Sequence, residues 1–131
     1  MKTILILAFL LFINIKNGVA DPCGGKGVKQ ITSEISILLK ENTICTSDSQ
    51  EQHRDNGELW DYKKGPDDPI DQTSRVGYWS IHDDQVHYSY GDKVIFHYSV
   101  FFDGAGICLF DGDRKINAFK IKGVSKPCPG F

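Results

Sequence analysis

The chain has 131 residues, 40% of them hydrophobic and 24% charged, with a formal net charge of −2. That length allows one domain and a leader, and no segment is of low complexity. A mildly acidic surface argues against nucleic acid or anionic lipid as a partner.

Residues 1–20 read as a secretory signal peptide. Lys2 supplies the positive start, Ile4 to Ile13 is an almost unbroken apolar run, and Gly18-Val19-Ala20 is a small-residue cleavage site. The run is too short to span a bilayer, and no other stretch is long enough, so the mature part is expected to carry no membrane span. Residues 21–131 are then one exported domain, periplasmic or secreted. The leader holds Lys2 and Lys16 and no acid, so the mature part is more acidic than the whole.

Asp21 to Lys29 is a glycine-rich leading loop. It is no phosphate cradle, because no strand precedes it and no G-K-[ST] follows. Ile31 to Asn42 is the helix candidate, with Ile31, Ile35, Leu38 and Leu39 on one face. Thr32 or Ser33 is placed to cap its start, and Asn42 to end it in left-handed geometry. Thr46 to Asn56 is polar and reads as a loop that enters a strand near its end. Asn56-Gly57 signals a hairpin, and Glu58 to Tyr62 alternates as a strand. Lys63 to Ser74, with two prolines and three aspartates, reads as a long exposed acidic loop.

Val76 to Phe110 is the stretch that organises the fold. It holds four of the five tyrosines, one of the two tryptophans and four of the eight phenylalanines. Apolar and polar residues alternate between short Asp/Gly turns, the pattern of an antiparallel meander with one buried face. Around Asp83-Asp84 the apolar set pairs Ile81 with Val86 and Trp79 with Tyr88. Asp-Asp is a weak turn pair, which favours a four-residue loop, His82 to Gln85, over a two-residue one. Gly91-Asp92, Asp103-Gly104 and Asp111-Gly112 mark the next turns. Ile107 and Leu109 are expected to return along Val100 and Tyr98. Phe119 and Ile121 extend a last strand, and the change of phase after Ala118 suggests a bulge.

Cys23, Cys45, Cys108 and Cys128 all lie in the mature part. An even count in an exported chain predicts two disulfides. Of three possible connectivities we expect Cys23–Cys128, tying the ends, and Cys45–Cys108, clamping the helix end to the sheet. A zinc site lacks any C-x-x-C pair.

Each candidate for chemistry has a plainer reading. His53, His82, His87 and His97 invite a metal or general base, but three sit at polar-phase strand or turn positions, where solvent-facing histidines are expected. Asp67, Asp68 and Asp71 do not match a calcium loop and read as a solvated acidic segment. There is no G-x-S-x-G, and the cysteines are expected to be oxidised. No catalytic residue, metal site or cofactor is therefore expected. Most aromatics must form the core. Tyr78, Phe101 and Phe102 are the exceptions by phase and, unless covered, make an apolar surface patch suited to binding. With Asp67, Asp68 and Asp71 they form the candidate binding surface.

Several local patterns together resemble small exported bacterial proteins of unknown function. They are Cys23-Gly24-Gly25, Asn42-Thr43-Ile44-Cys45, Asn56-Gly57-Glu58-Leu59-Trp60, Gly77-Tyr78-Trp79-Ser80-Ile81 and Val86-His87-Tyr88-Ser89-Tyr90. The resemblance covers most of residues 23–110, and its motifs are structural. A looser likeness, of architecture alone, is to small periplasmic β-barrel inhibitors of lysozyme, whose inhibitory loop motif has no counterpart here.

The expected fold is mostly β: an antiparallel meander of about 6–8 strands, curved or barrel-like, with one N-terminal helix packed on it. The alternative is a two-layer α+β arrangement with an open sheet. The expected function is a non-enzymatic binding or inhibitor module, monomeric, with a protein or glycan partner. The alternative is a small hydrolase or metal-dependent enzyme that uses His82, His87 or His97 with a nearby aspartate.

Overall fold

The computed structural model describes residues 23–25, 27–63, 71–91, 94–124 and 127–129, with only the backbone considered at 62, 63 and 71–73. The expected leader, Asp67, Asp68 and most of the acidic loop lie outside the described residues. The elements in chain order are β1 (Lys29–Ile31), α1 (Ile35–Leu39), β2 (Asn42–Cys45), β3 (Gln50–His53), β4 (Glu58–Lys63), β5 (Asp71–His82), β6 (Gln85–Tyr90), β7 (Val94–Phe102), β8 (Gly106–Phe110) and β9 (Lys115–Lys122).

From β2 to β9 each strand pairs antiparallel with the next, and β9 pairs with both β8 and β2. The sheet therefore closes into an eight-stranded up-and-down barrel, and the open-sheet alternative is set aside. β1 joins the far end of β7, at Val100–Phe102, where β6 has already stopped. One face of every strand points inward. Ile44, Leu59, Trp79, Val86, Tyr88, Tyr98, Val100, Ile107, Leu109 and Ala118 form the buried core together with Ile35, Leu38 and Leu39 of the helix.

The two ends of the barrel differ. The β3–β4, β5–β6 and β7–β8 turns lie at one end. There α1 leads into β2, and its buried Ile35, Leu38 and Leu39 join the core. The β2–β3, β6–β7 and β8–β9 connections lie at the other end, where no helix covers the described residues.

The meander follows the alternation. Trp79 faces Tyr88, Ser80 faces His87 and Ile81 faces Val86. The turn between them is the tighter of the two weighed. His82 pairs with Gln85, and Asp83 and Asp84 both take positive φ, 51° and 60°. Short side chains that bond locally tolerate that geometry, which matches the twist of the strands. After Asp103-Gly104 the strand returns two residues from the expected register, with Ile107 opposite Phe102 and Leu109 opposite Val100. The Asp103 carboxylate accepts the amides of Ala105 and Gly106 at 2.8 and 2.6 Å and closes a short turn. A two-residue slide keeps every side chain on its face.

Several expectations are corrected. The helix is one short turn and a half, because Lys29–Ile31 pairs with β7 at Val100–Phe102, beyond the end of β6. Neither Thr32 nor Ser33 caps it; Glu34 holds that position without a side-chain bond. Glu41 takes the left-handed φ of 58°, while Asn42 opens β2 and donates its amide to the Leu38 carbonyl at 2.9 Å. The polar stretch after Thr46 contains a strand, β3. Strand β5 begins at Asp71, opposite Lys63, so the acidic loop is shorter than the sequence suggested. No bulge follows Ala118; Phe119 continues the alternation and points outward, 42% exposed. The register irregularities lie between β4 and β5 instead. There Gly77 leaves room for the Ser89 carbonyl, where a Cβ would collide.

The disulfides are Cys23–Cys108 and Cys45–Cys128, with Cα atoms 5.8 and 5.9 Å apart. The expected pairing fails on distance. Cys45 lies opposite Phe119 and Cys108 opposite Asn117, so β9 separates the two cysteines. Two inter-strand spacings are about 9.5 Å, beyond the reach of a disulfide. Instead Cys23 ties the leading loop to β8. Cys128 ties the C-terminal tail to β2, and its amide donates to the buried Gln50 side chain at 2.8 Å. Each bridge closes a loop of more than 80 residues and constrains the unfolded chain by about 2–4 kcal/mol.

Two measurements check this frame. Peptide mapping of the non-reduced protein should recover Cys23 linked to Cys108 and Cys45 linked to Cys128. Trp79 is 8% exposed and its indole N–H donates to the Arg54 carbonyl at 2.9 Å. Trp79→Ala should therefore lower unfolding free energy by roughly 3–5 kcal/mol; a loss below about 1 kcal/mol would place the ring outside the core.

Candidate functional site

The uncovered end of the barrel contains a cavity of about 600 Å³. That size lies within the range of small-molecule sites, about 300–1,000 Å³. Its inner wall is Ile44, Glu51, Tyr88, Tyr90, Tyr98, Leu109 and Ile116, and its rim is Thr46–Ser49 and Arg114–Asn117.

The aromatic wall follows from the sequence of β6 and β7. Alternation puts Tyr88 and Tyr90 on the inner face of β6 and Phe96 and Tyr98 on the inner face of β7. Register places Tyr88 opposite Phe96. The four rings form a closed quartet, with centroid separations of 6.2 Å (Tyr88–Tyr90), 5.9 Å (Tyr90–Phe96), 6.3 Å (Phe96–Tyr98) and 6.0 Å (Tyr98–Tyr88). These spacings suit favourable ring–ring contact.

A phenol buried in such a wall needs a partner for its hydroxyl. Strand β3, across the lumen, supplies two. The Tyr90 hydroxyl donates to the Glu51 carboxylate, 2.7 and 2.9 Å from its oxygens. The Tyr88 hydroxyl lies 2.8 Å from His53 Nε2. His53 Nδ1 is 3.1 Å from the Glu51 carbonyl, which can only accept. The proton therefore sits on Nδ1, and Nε2 accepts from Tyr88. His53 also packs edge-on against Trp79 and Tyr88, with centroids 5.3 and 5.5 Å away.

Burial sets the charge states. His53 is fully buried, and desolvation depresses its pKa to about 4 against the opposing pull of the Glu51 carbonyl, so it is neutral near pH 7. The Glu51 carboxyl is pushed up from the usual range by desolvation first. The Tyr90 hydrogen bond opposes that shift, and the negative charge of Asp61, its cross-strand neighbour, adds to it. Tyr88 and Tyr90 are raised by burial and stay neutral. Among the described residues the ion pairs are Arg75–Glu58 and Arg114–Asp111, so no described cation pairs with Glu51. At the rim, Arg114 is held to one Asp111 oxygen by two contacts of 3.1 Å and lies over the Phe96 ring at 5.6 Å.

The surface chosen from the sequence does not converge here. Tyr78 is outward and 48% exposed, with the Arg75 guanidinium 5.0 Å over its ring. Phe101 is half-buried and lines a shallow hollow with Cys23 and Val28. Phe102 packs against the core. These three do not make one patch. Asp71 opens β5.

His82, His87 and His97 do come together, on the outer, convex face of β5, β6 and β7. His87 and His97 stack at 3.9 Å with planes 13° apart, and His82 lies 5.1 Å from His87. Burial first, then the neighbouring His97 and His82, lowers the His87 pKa. Nitrogen lone pairs lie in the ring planes, and planes so nearly parallel do not converge on one ion. Among the described residues no group of three or more potential ligands is arranged to hold a metal.

No family model matches the chain, and no curated protein or solved structure matches it. The site must be read from its own geometry.

Its pH dependence has a definite sign. A histidine depressed from 6.5 to about 4 contributes stability above pH 6.5 that is lost as pH falls toward 4, because the unfolded chain takes up the proton first. Glu51, raised on folding, acts in the opposite sense above its unfolded value. Comparing the wild type with His53→Gln isolates the histidine. Between pH 7 and pH 5 the wild type should lose roughly 2 kcal/mol more in urea unfolding than the variant. Equal losses would mean that His53 is exposed and titrates normally.

Proposed function

We propose that this chain is an exported, non-enzymatic binding protein that takes a small organic molecule into the open end of its barrel. The observation that carries this reading is the cavity itself: concave, walled on one side by Tyr88, Tyr90 and Tyr98, and holding one recessed carboxylate, Glu51, inside a polar rim. Two disulfides fit an oxidising compartment. No helix among the described residues is long and apolar enough to cross a membrane. The apolar run and small-residue site at residues 1–20 support export, and the resemblance to small exported bacterial proteins agrees with it.

This reading moves the binding surface from the outer sheet into the lumen. A surface module that holds a protein partner keeps one supporting feature, the exposed Tyr78 under Arg75. The enzyme alternative has less support, since its three histidines lie on a convex face, with His87 and His97 stacked on each other.

Amide chemical-shift mapping tests the choice. Titrating labelled protein with a set of small aromatic fragments should move the amides of Ile44, Ser49, Tyr90, Leu109 and Ile116. Ile116→Trp, which puts a bulkier ring on the cavity wall, should weaken those shifts. Shifts confined to Arg75 and Tyr78 would transfer the proposal to the outer face. Export is checked separately: the secreted form should begin at Asp21.

A further inference from the structure

We propose that the cavity selects an organic ammonium ion carried on a small aromatic or apolar body, with Glu51 as its counter-ion and Tyr88, Tyr90 and Tyr98 as its aromatic wall. This rests on the lumenal reading above and names the ligand class for that site.

Charge is distributed by depth. Four charged side chains line the cavity: Asp48, Glu51, Arg114 and Lys115. Asp48, Arg114 and Lys115 are exposed at the rim, and Glu51 is recessed. An anion entering the lumen meets this carboxylate. The Arg114 guanidinium is already held by Asp111.

The walls suit a cation for a second, independent reason. Aromatic faces attract an ammonium group within about 6 Å of the ring centroid, more strongly when water is excluded. Three rings line the cavity here, with Tyr88 6.2 Å from Tyr90 and 6.0 Å from Tyr98. One of these rings, Tyr90, is fixed to Glu51 by its hydroxyl. A carboxylate has about four acceptor sites, so a single phenol leaves capacity for an N–H donor. A neutral sugar is less well served. The Tyr88 and Tyr90 hydroxyls already point at His53 and Glu51, and the rest of the inner wall is Ile44, Leu109 and Ile116.

Calorimetric titration with three probes of one shape tests the assignment: 2-phenylethylammonium, 2-phenylethanol and phenylacetate. The ammonium should bind at least about tenfold more tightly than either of the others, a difference of roughly 1.4 kcal/mol. Glu51→Gln keeps an acceptor for Tyr90 and should cost the ammonium about tenfold while costing the alcohol far less. If that variant does not fold, Tyr98→Leu carries the same comparison by removing one ring of the aromatic wall. Equal or tighter binding of the alcohol or the carboxylate overturns the ammonium assignment and leaves the lumenal site standing. Unchanged ammonium affinity in the folded Glu51→Gln variant also overturns it. If none of the three probes binds and none shifts the lumenal amides, both the assignment and the lumenal reading fail.

Discussion

Two phenol hydroxyls cross the inside of the barrel, and most of the site follows from what they meet. Tyr88 reaches His53 and Tyr90 reaches Glu51, both on the opposite strand β3. A buried hydroxyl without a partner costs about 1–3 kcal/mol, so each ring demands a polar residue at one place on the far wall. That demand puts Glu51 and His53, rather than valines, on the inner face of β3. It also fixes the depth of the lumen. Below the crossings the space is filled by Leu59, Trp79, Val86, Val100 and the helix. Above them the rings stand apart from Ile44, Leu109 and Ile116, and the cavity remains.

Closure gives these crossings a rigid frame. A barrel has no free edges, and β9 completes it by bonding to β8 and β2 together. The outer face of that junction is where the covalent ties lie. Cys45 on β2 and Cys108 on β8 flank β9, and each is bridged to a chain end. The strands that close last in sequence are thereby held by the segments that precede and follow the barrel. A domain of this size has little core to spare, and an unfilled end spares less, so ties that restrict the unfolded chain offset that deficit.

The meander was legible because period two decides which face a residue takes, and one face was apolar. Trp79, Ile81, Val86 and Tyr88 could pair in one phase without placing a ring opposite a polar group. Strand β3 was not legible because both of its faces are polar. Glu51 and His53 point at phenols, and Gln50 lies under the C-terminal tail, bonded to the Cys128 amide. Neither partner is near it in sequence, so the segment reads as a loop. The same cause hid the site. Tyr88, Tyr90 and Tyr98 were correctly assigned to the inner face, but whether an inner face is filled depends on what stands across from it. A hint was present in the sequence: three inward tyrosines call for inward polar partners, and Gln-Glu-Gln-His between Thr46 and Asn56 was available to supply them. The disulfide pairing failed for a simpler reason, since chain order says nothing about β9 lying between Cys45 and Cys108.

Glu51 is the residue the fold explains least by stability alone. A glutamine there would accept the Tyr90 hydroxyl without the desolvation that raises the carboxyl, and without the charge of Asp61 beside it. His53, by contrast, sheds its charge, and as a neutral ring it gives the Tyr88 hydroxyl an acceptor at no electrostatic cost. Two polar residues two positions apart on one strand, each bonded to a tyrosine of β6, thus differ in kind. The inner one is satisfied within the protein. The outer one keeps acceptor capacity facing the cavity. Local departures from the most stable choice concentrate where a protein meets something else. A bound cation would relieve the cost at Glu51 and stabilise the fold by mass action. On this view the hydrogen bonds that shape the lumen also hold a binding group in place at the boundary between filled and open barrel.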